Sequence, residues 1–304
     1  MRFFVILFLA LQSVIYAASS TKVQYQIVTE ISASADTDEI TLRQIIPVSE
    51  KGQQEVKVSY SLQPSRVFED AGIHYAEWVI SEIDKEMKLV TTIDAVLYKQ
   101  GLQSIRKSKV KLSKEDREKY TSSEKWIESD NALITETLAK IRTSKSDKAS
   151  AEKILKFVMK TMKYSGFNSN DQGALVSLNK KQGDCNDYTD LFIALCRAKG
   201  IPSRMVSGVS TNWNANDTPK HSRAEVFLTD YGWVPVDPLW CDLKTATFKK
   251  VPSILKFTTK RSDEILSDFY YWSFTYTGQE AKVKTTLELL KNSGSKKLPR
   301  VAEY

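Results

Sequence analysis

Cys185, His221 and Asp237 are the residues of this 304-residue chain whose types, order and surroundings can do chemistry together. A thiol is a strong nucleophile only as its thiolate, an imidazole can take the proton, and a carboxylate can hold the imidazole in one tautomer. Cys185 stands in the segment Gly183-Asp184-Cys185-Asn186-Asp187-Tyr188, which is predicted to open a helix running to about Lys199 and stopping at Gly200-Ile201-Pro202. Asp184 suits the N-cap of that helix. Cys185 then lies in the first turn, where unpaired backbone N–H groups and the positive end of the helix dipole favour a thiolate and can hold an oxyanion. Asp184 and Asp187 oppose thiolate formation, so a cationic partner is needed.

Histidine is the natural partner, and the chain has two, His74 and His221. His74 falls in a strand-like run and reads as structural. His221 begins an alternating run, Ser222 to Thr229 (SRAEVFLT), that turns at Asp230-Tyr231-Gly232 into Trp233-Val234-Pro235-Val236-Asp237. This pattern predicts a hairpin. Folding it about Tyr231 returns Asp237 to the end where His221 lies, within a few residues of register. A carboxylate there can fix one ring nitrogen and leave the other to meet the thiol.

The other candidates are weaker. Cys196, eleven residues from Cys185 on the same predicted helix, is about 16 Å away, beyond disulfide reach, and sits on the apolar side as core packing. Cys241 could pair with Cys196, but nothing in the sequence requires it. Without CxxC or HExxH spacing, a zinc site is not indicated, and no cofactor is expected. Arg197 and Arg204 suit pairing with acids or capping the helix end. Glu225 on the His221 strand reads as a structural partner. Trp213, Arg223 and Trp240 are candidates for substrate contact, and the polar loop Thr211 to Lys220 is a candidate groove edge that holds the sequon Asn216-Asp217-Thr218.

These residues need elements to position them. Strand-like runs at Val23 to Ile31, Glu39 to Ile46, Glu55 to Leu62, His74 to Ile80 and Lys88 to Leu97, separated by turn residues, predict an antiparallel sandwich. From about Ser129 helical periodicity takes over, with Leu133, Ile134, Leu138 and Ile141 on one segment and Ala151, Ile154, Leu155, Val158 and Met162 on the next. The expected organisation is a signal peptide over 1–18, a β-sandwich domain over 19–105, a basic linker over 106–128, an α+β core over 129–250, and a C-terminal extension over 251–304 with at least one strand, at Phe269 to Tyr276.

The start of the chain carries the localisation signal. Phe3 to Leu11 is apolar behind Arg2 and gives way to Ala17, Ala18, Ser19 and Ser20, as in a secretory signal cleaved near Ala17 or Ser19. Even extended to Tyr16 the stretch is about 15 residues, short of the roughly 20 a spanning helix needs. Export to the periplasm or medium is expected. The net charge of +7 is concentrated in Arg106 to Lys119 and Lys249 to Arg261. Such runs suit solvated surfaces, and could also meet an anionic envelope polymer or a membrane surface peripherally. No nucleic-acid motif accompanies them.

Three segments, GDCNDYTDLFIALCRAKGIPSRMVSG, HSRAEVFL and GWVPVDPLW, resemble the signature blocks of the transglutaminase-like superfamily, over about residues 120 to 245. The resemblance implies a papain-like α+β core, with the Cys helix packed on an antiparallel sheet carrying His and Asp, and an N-terminal β-domain of the kind that precedes this core in exported bacterial members. It implies Cys185 as nucleophile, His221 as base and Asp237 as its partner. Where relatives often carry an aromatic two residues after the His, this chain has Arg223, so the usual acyl-donor pocket does not carry over with the triad. The activity implied is a cysteine-dependent amide hydrolase or acyltransferase acting on a protein or peptide through a Cys185 thioester, with protease or amidase action favoured over transglutamination. The alternative is a non-catalytic binding or scaffold module of the cell envelope.

Overall fold

The computed structural model describes residues 20–34, 36–81, 86–168, 170–211, 220–240, 248, 251–259 and 272–294, and the backbone of 300–303. The expected signal segment, Trp213, the sequon, Cys241 and much of the second basic stretch lie outside the described residues. The first region is β: β1 (Ser20–Ala33), β2 (Thr37–Ile45), β3 (Gln54–Tyr60), β4 (Arg66–Asp70), β5 (Ile73–Ile80) and β6 (Glu86–Tyr98). The second is mixed: α1 (Lys114–Lys119), α2 (Ala132–Lys140), α3 (Asp147–Thr161), β7 (Lys163–Tyr164), α4 (Gly173–Lys180), β8 (Gln182–Gly183), α5 (Cys185–Ala198), β9 (Ser203–Ser210), β10 (Lys220–Leu228), β11 (Gly232–Val236) and β12 (Ile254–Thr258). The strands β13 (Trp272–Gly278), β14 (Ala281–Asn292) and β15 (Arg300–Glu303) close the chain.

The fold is α+β with mostly antiparallel sheets. Two sheets, in the orders β15-β14-β1-β6-β3 and β13-β2-β5-β4, face each other as a sandwich. Their alternating apolar residues, among them Ile31, Ile40, Leu42, Trp78 and Leu89, fill the space between them. Where the sequence reading closed the sandwich at residue 105, β13 and β14 also pair into it, Phe274 opposite Leu42 and Thr285 opposite Thr29. The C-terminal strands are therefore part of this layer pair rather than an appendage.

The third sheet, in the order β11-β10-β9-β12, carries one face of the second region. Pro235 is tolerated in β11 because that strand is an edge. Against the sheet lies α5, buried almost continuously from Asp187 to Arg197 and surrounded by α2, α3 and α4. A helix buried on nearly all sides is held in one place. The basic stretch is anchored as well as exposed: the Ser108 and Val110 amides donate to the Asp230 and Thr229 carbonyls at 2.8 Å, and α1 lies within it.

Sandwich and sheet are docked by polar contacts. Gln54 donates to the Lys256 carbonyl at 2.9 Å and accepts from its amide at 2.8 Å. Tyr25 donates to the Ser210 carbonyl. Glu225, wholly buried, accepts from Arg204 Nε at 2.8 Å and from Gln53 at 3.3 Å, and lies 3.7 Å from Lys256 Nζ. Burial alone would raise its pKa, but Lys256, Arg204 and Arg223 outweigh it and hold Glu225 down at about 2.

Candidate active site

The local sequence explains why Cys185 heads a helix. Asp184 accepts from the amides of Asn186 (2.8 Å) and Asp187 (3.4 Å), and Asp187 Oδ2 reaches back to the Asp184 amide at 2.9 Å, a reciprocal capping box. Gly183 is required by that exchange, since a Cβ there would fall 2.3 Å from both Cβ and Oδ2 of Asp187. Further bonds fix the turn: Ser177 Oγ and Gln172 Nε2 donate to Asp187, the Asn168 amide to Asp184, and Asn186 to Asp171. Burial pushes the carboxyls of Asp184 and Asp187 upward, against the bonds they accept.

The capping box corrects one expectation. Of the N–H groups at the start of α5, those of Asp184, Asn186 and Asp187 are already engaged. The amide of Cys185 itself is the donor left for an oxyanion, not the whole first turn.

His221 is the second residue of β10, and Thr189 of α5 donates to the carbonyl of the next residue, Ser222, at 3.3 Å, tying the Cys helix to the His strand. His221 sits opposite Gly208, where a Cβ would strike the Leu255 carbonyl at 2.3 Å. Its Nε2 lies 2.7 Å from Asp237 Oδ2. The hairpin register pairs Ala224 with Val236, which sets Asp237 across from Arg223 and diagonal to His221. The Asp-Pro sequence then turns, and Asp237 Oδ1 accepts from the amides of Leu239 (3.2 Å) and Trp240 (2.9 Å). That turn lays the Trp240 ring flat on the imidazole, with centroids 3.7 Å apart and 7° between planes.

The electrostatics follow from burial and pairing. Burial by itself would lower the His221 pKa; the Asp237 carboxylate and the Cys185 sulfur, within hydrogen-bonding reach of the ring, overcome it and push the imidazole up to about 9. Burial would raise Asp237, but His221, the Trp240 amide and Arg223 leave it below the usual carboxylate range. An ionised carboxylate only accepts, so Nε2 carries the hydrogen toward Asp237 and Nδ1 is left for Cys185. Cys185, His221 and Asp237 therefore converge as their sequence positions suggested.

Other candidates separate cleanly. Cys196 is buried, and burial pushes its thiol well up. His74 lies in β5 opposite Glu69. Trp240 keeps 40% of its surface exposed while covering His221, so it borders the site. Arg223 is a correction: as a substrate contact it would need an open groove, yet it is 0% exposed and donates to the Pro252 carbonyl at 2.8 Å and to Gln100 at 3.4 Å. Arg197 donates to Glu124, Ser122 and Ser203, and Arg204 pairs with Glu225. Sequence reasoning missed Gly183 and Gly208 as site residues, and the Gly that precedes Asp184 was the available signal. Among the described residues there is no cluster of metal-ligating side chains.

Residues 135–238 match the model of the transglutaminase-like superfamily, and the chain carries that core. Among solved structures, a candidate cysteine protease from Cytophaga hutchinsonii is similar over 94% of this chain and 98% of that one, with a TM-score of 0.57 and 15% identity, which supports the shared fold. The periplasmic domain of TgpA from Pseudomonas aeruginosa aligns over 70% of this chain and 86% of that one, at 12% identity and a TM-score of 0.39. An uncharacterized protein of Haemophilus influenzae is 30% identical over 92 residues, taking in 24% of this chain and 25% of that protein. The chain thus spans about a quarter of the length of this curated relative.

Proposed function

We propose that the protein is an exported thiol enzyme that cleaves peptide or side-chain amides through a thioester on Cys185. The supporting observation is the buried His221–Asp237 pair, 2.7 Å apart, beside the thiol at the start of α5. The Cys185 proton passes to His221 Nδ1, and the sulfur attacks the amide carbon. Charge on the carbonyl oxygen is received by the Cys185 amide N–H. The C–N bond breaks as His221 returns the proton to the leaving nitrogen, and a thioester remains. Water, giving its proton to His221, then attacks the thioester carbon and releases the acid and the thiol. Asp237 keeps the ring oriented and stabilises it while charged. Trp240 limits water on one face of the imidazole.

Hydrolysis is favoured over transfer to an amine because water is always present, and among the described residues no feature of the site selects an amine. Export rests on the N-terminal apolar run; no helix among the described residues is long and apolar enough to cross a membrane. The test is acid-quench mass spectrometry with a peptide library. Acyl adducts on the Cys185 peptide, absent in Cys185→Ala, are expected, and products without any adduct or any dependence on Cys185 would refute the reading.

A further inference from the structure

The residue two places beyond His221 is the least expected feature of the site. Arg223 is a large cation at 0% exposure, on the same face of β10 as His221 and Glu225. It pairs with Val206 of β9, and continuing the β10–β11 register one place past Ala224–Val236 brings it across from Asp237. Its guanidinium is anchored outside this strand pair, by the carbonyl of Pro252 just before β12 and by Gln100 just after β6. Gln100 in turn donates to the Gln53 and Tyr98 carbonyls, so the end of the sandwich holds the guanidinium in place.

We propose that Arg223 is a positioning residue of the triad, a fixed buried counter-charge that keeps Asp237 a carboxylate when His221 gives its proton to the leaving group. The inference rests on the thiol-enzyme reading above. The need for such a charge is physical. While His221 is charged, Asp237 has a partner. Once the imidazole is neutral, a carboxylate with no exposure would keep only the Leu239 and Trp240 amides as partners, with no opposite charge, and the proton would be held back from the substrate. An arginine cannot release its own proton near neutral pH, so its charge persists through that step.

Arg223 acts on both Glu225 and Asp237, but Glu225 has nearer cations of its own. Glu225 on β10 is met by Arg204 of β9 and Lys256 of β12, and Lys256 also pairs with Glu50. From α5 the group facing His221 is Cys185, and from the end of β11 it is Asp237. Lys220 alternates to the other face of β10. Beside His221 and the Trp240 amide, the Arg223 charge helps hold Asp237 ionised.

Two histidines make the test direct, because histidine-labelled protein gives nitrogen spectra from His74 and His221 alone. Removing a neighbouring positive charge makes an imidazolium harder to deprotonate. In Arg223→Met the His221 midpoint should therefore rise above its wild-type value near 9, by about one unit or more. Arg223→Lys, which keeps the charge, should restore it. An unmoved midpoint in Arg223→Met, or an equal rise in both variants, would overturn the proposal. If Arg223→Met does not fold, Arg223→Gln, which removes the charge but can still donate to Pro252 and Gln100, decides instead: a raised midpoint supports the proposal and an unmoved one overturns it. Inertness of wild-type Cys185 toward iodoacetamide would remove the enzyme reading instead, while leaving this titration legible.

Discussion

Gly183→Ala tests whether the capping box sets the nucleophile. The backbone at Gly183 needs no left-handed conformation; the constraint is space, because an added methyl would lie 2.3 Å from Asp187 Cβ and Oδ2. Asp187 must move by about 1 Å to reach ordinary contact. Its bonds to the Asp184 amide (2.9 Å) and Ser177 (3.1 Å) cannot then both persist. Loss of a cap costs about 1 kcal/mol, and a buried amide left without an acceptor about 1–3 kcal/mol. The expected destabilisation is about 2–4 kcal/mol, read from urea denaturation. A displacement near 1 Å at the reacting atom also costs on the order of 100-fold in acyl transfer. A variant with the wild-type urea midpoint and wild-type Cys185 reactivity would refute the reasoning.

Asp237→Asn removes the larger of the two groups that oppose burial of His221 and leaves only Cys185, so its midpoint should fall well below 9 by histidine-labelled spectroscopy. Because that pKa is raised in the folded state, the pair stabilises fully below pH 6.5 and loses its contribution, on the order of 3 kcal/mol, as the pH rises through about 9. The stability of Asp237→Asn should lack that decline. Glu225→Gln has the opposite sign: a carboxyl depressed from 4.5 to about 2 stabilises above pH 4.5 and loses this as the pH falls toward 2. The variant should be about 3 kcal/mol less stable at pH 7, with the difference shrinking in acid denaturation curves. Trp240→Ala should raise the His221 midpoint in histidine-labelled spectra, because water in place of the stacked ring relieves the burial that lowers it.

Local patterns made much of this legible. The stop at Gly200-Ile201-Pro202, the N-cap Asp184 and the alternating runs around Gly232 are short-range signals, and they yield α5 and the β10–β11 hairpin within a residue or two. Gly232 takes a positive φ of 75° at the turn, as the hairpin requires. Strand β4 escaped because Arg66-Val67-Phe68-Glu69-Asp70 is an exposed edge with little apolar alternation. The pairing of β13 with β2 and β14 with β1 spans most of the chain, and no local pattern encodes such a partner. Arg223 read as a substrate contact because charge suggests exposure; only the approach of Pro252 and Gln100 shows that it is buried and held. The first-turn amides were similarly misjudged, since spacing indicates a helix start but not that Asp187 folds back to close it.

The most direct test is the rate of iodoacetamide alkylation at each of the three cysteines across pH, read by peptide mass spectrometry on folded wild type and His221→Ala. Cys185 should be labelled first near neutral pH and lose most of that rate without His221, while Cys196, buried with its thiol pushed up, stays unmodified. A Cys185 that is inert in well-folded protein while Cys196 or Cys241 reacts would contradict the thiol-enzyme reading and leave the chain as a scaffold built on a transglutaminase-like core.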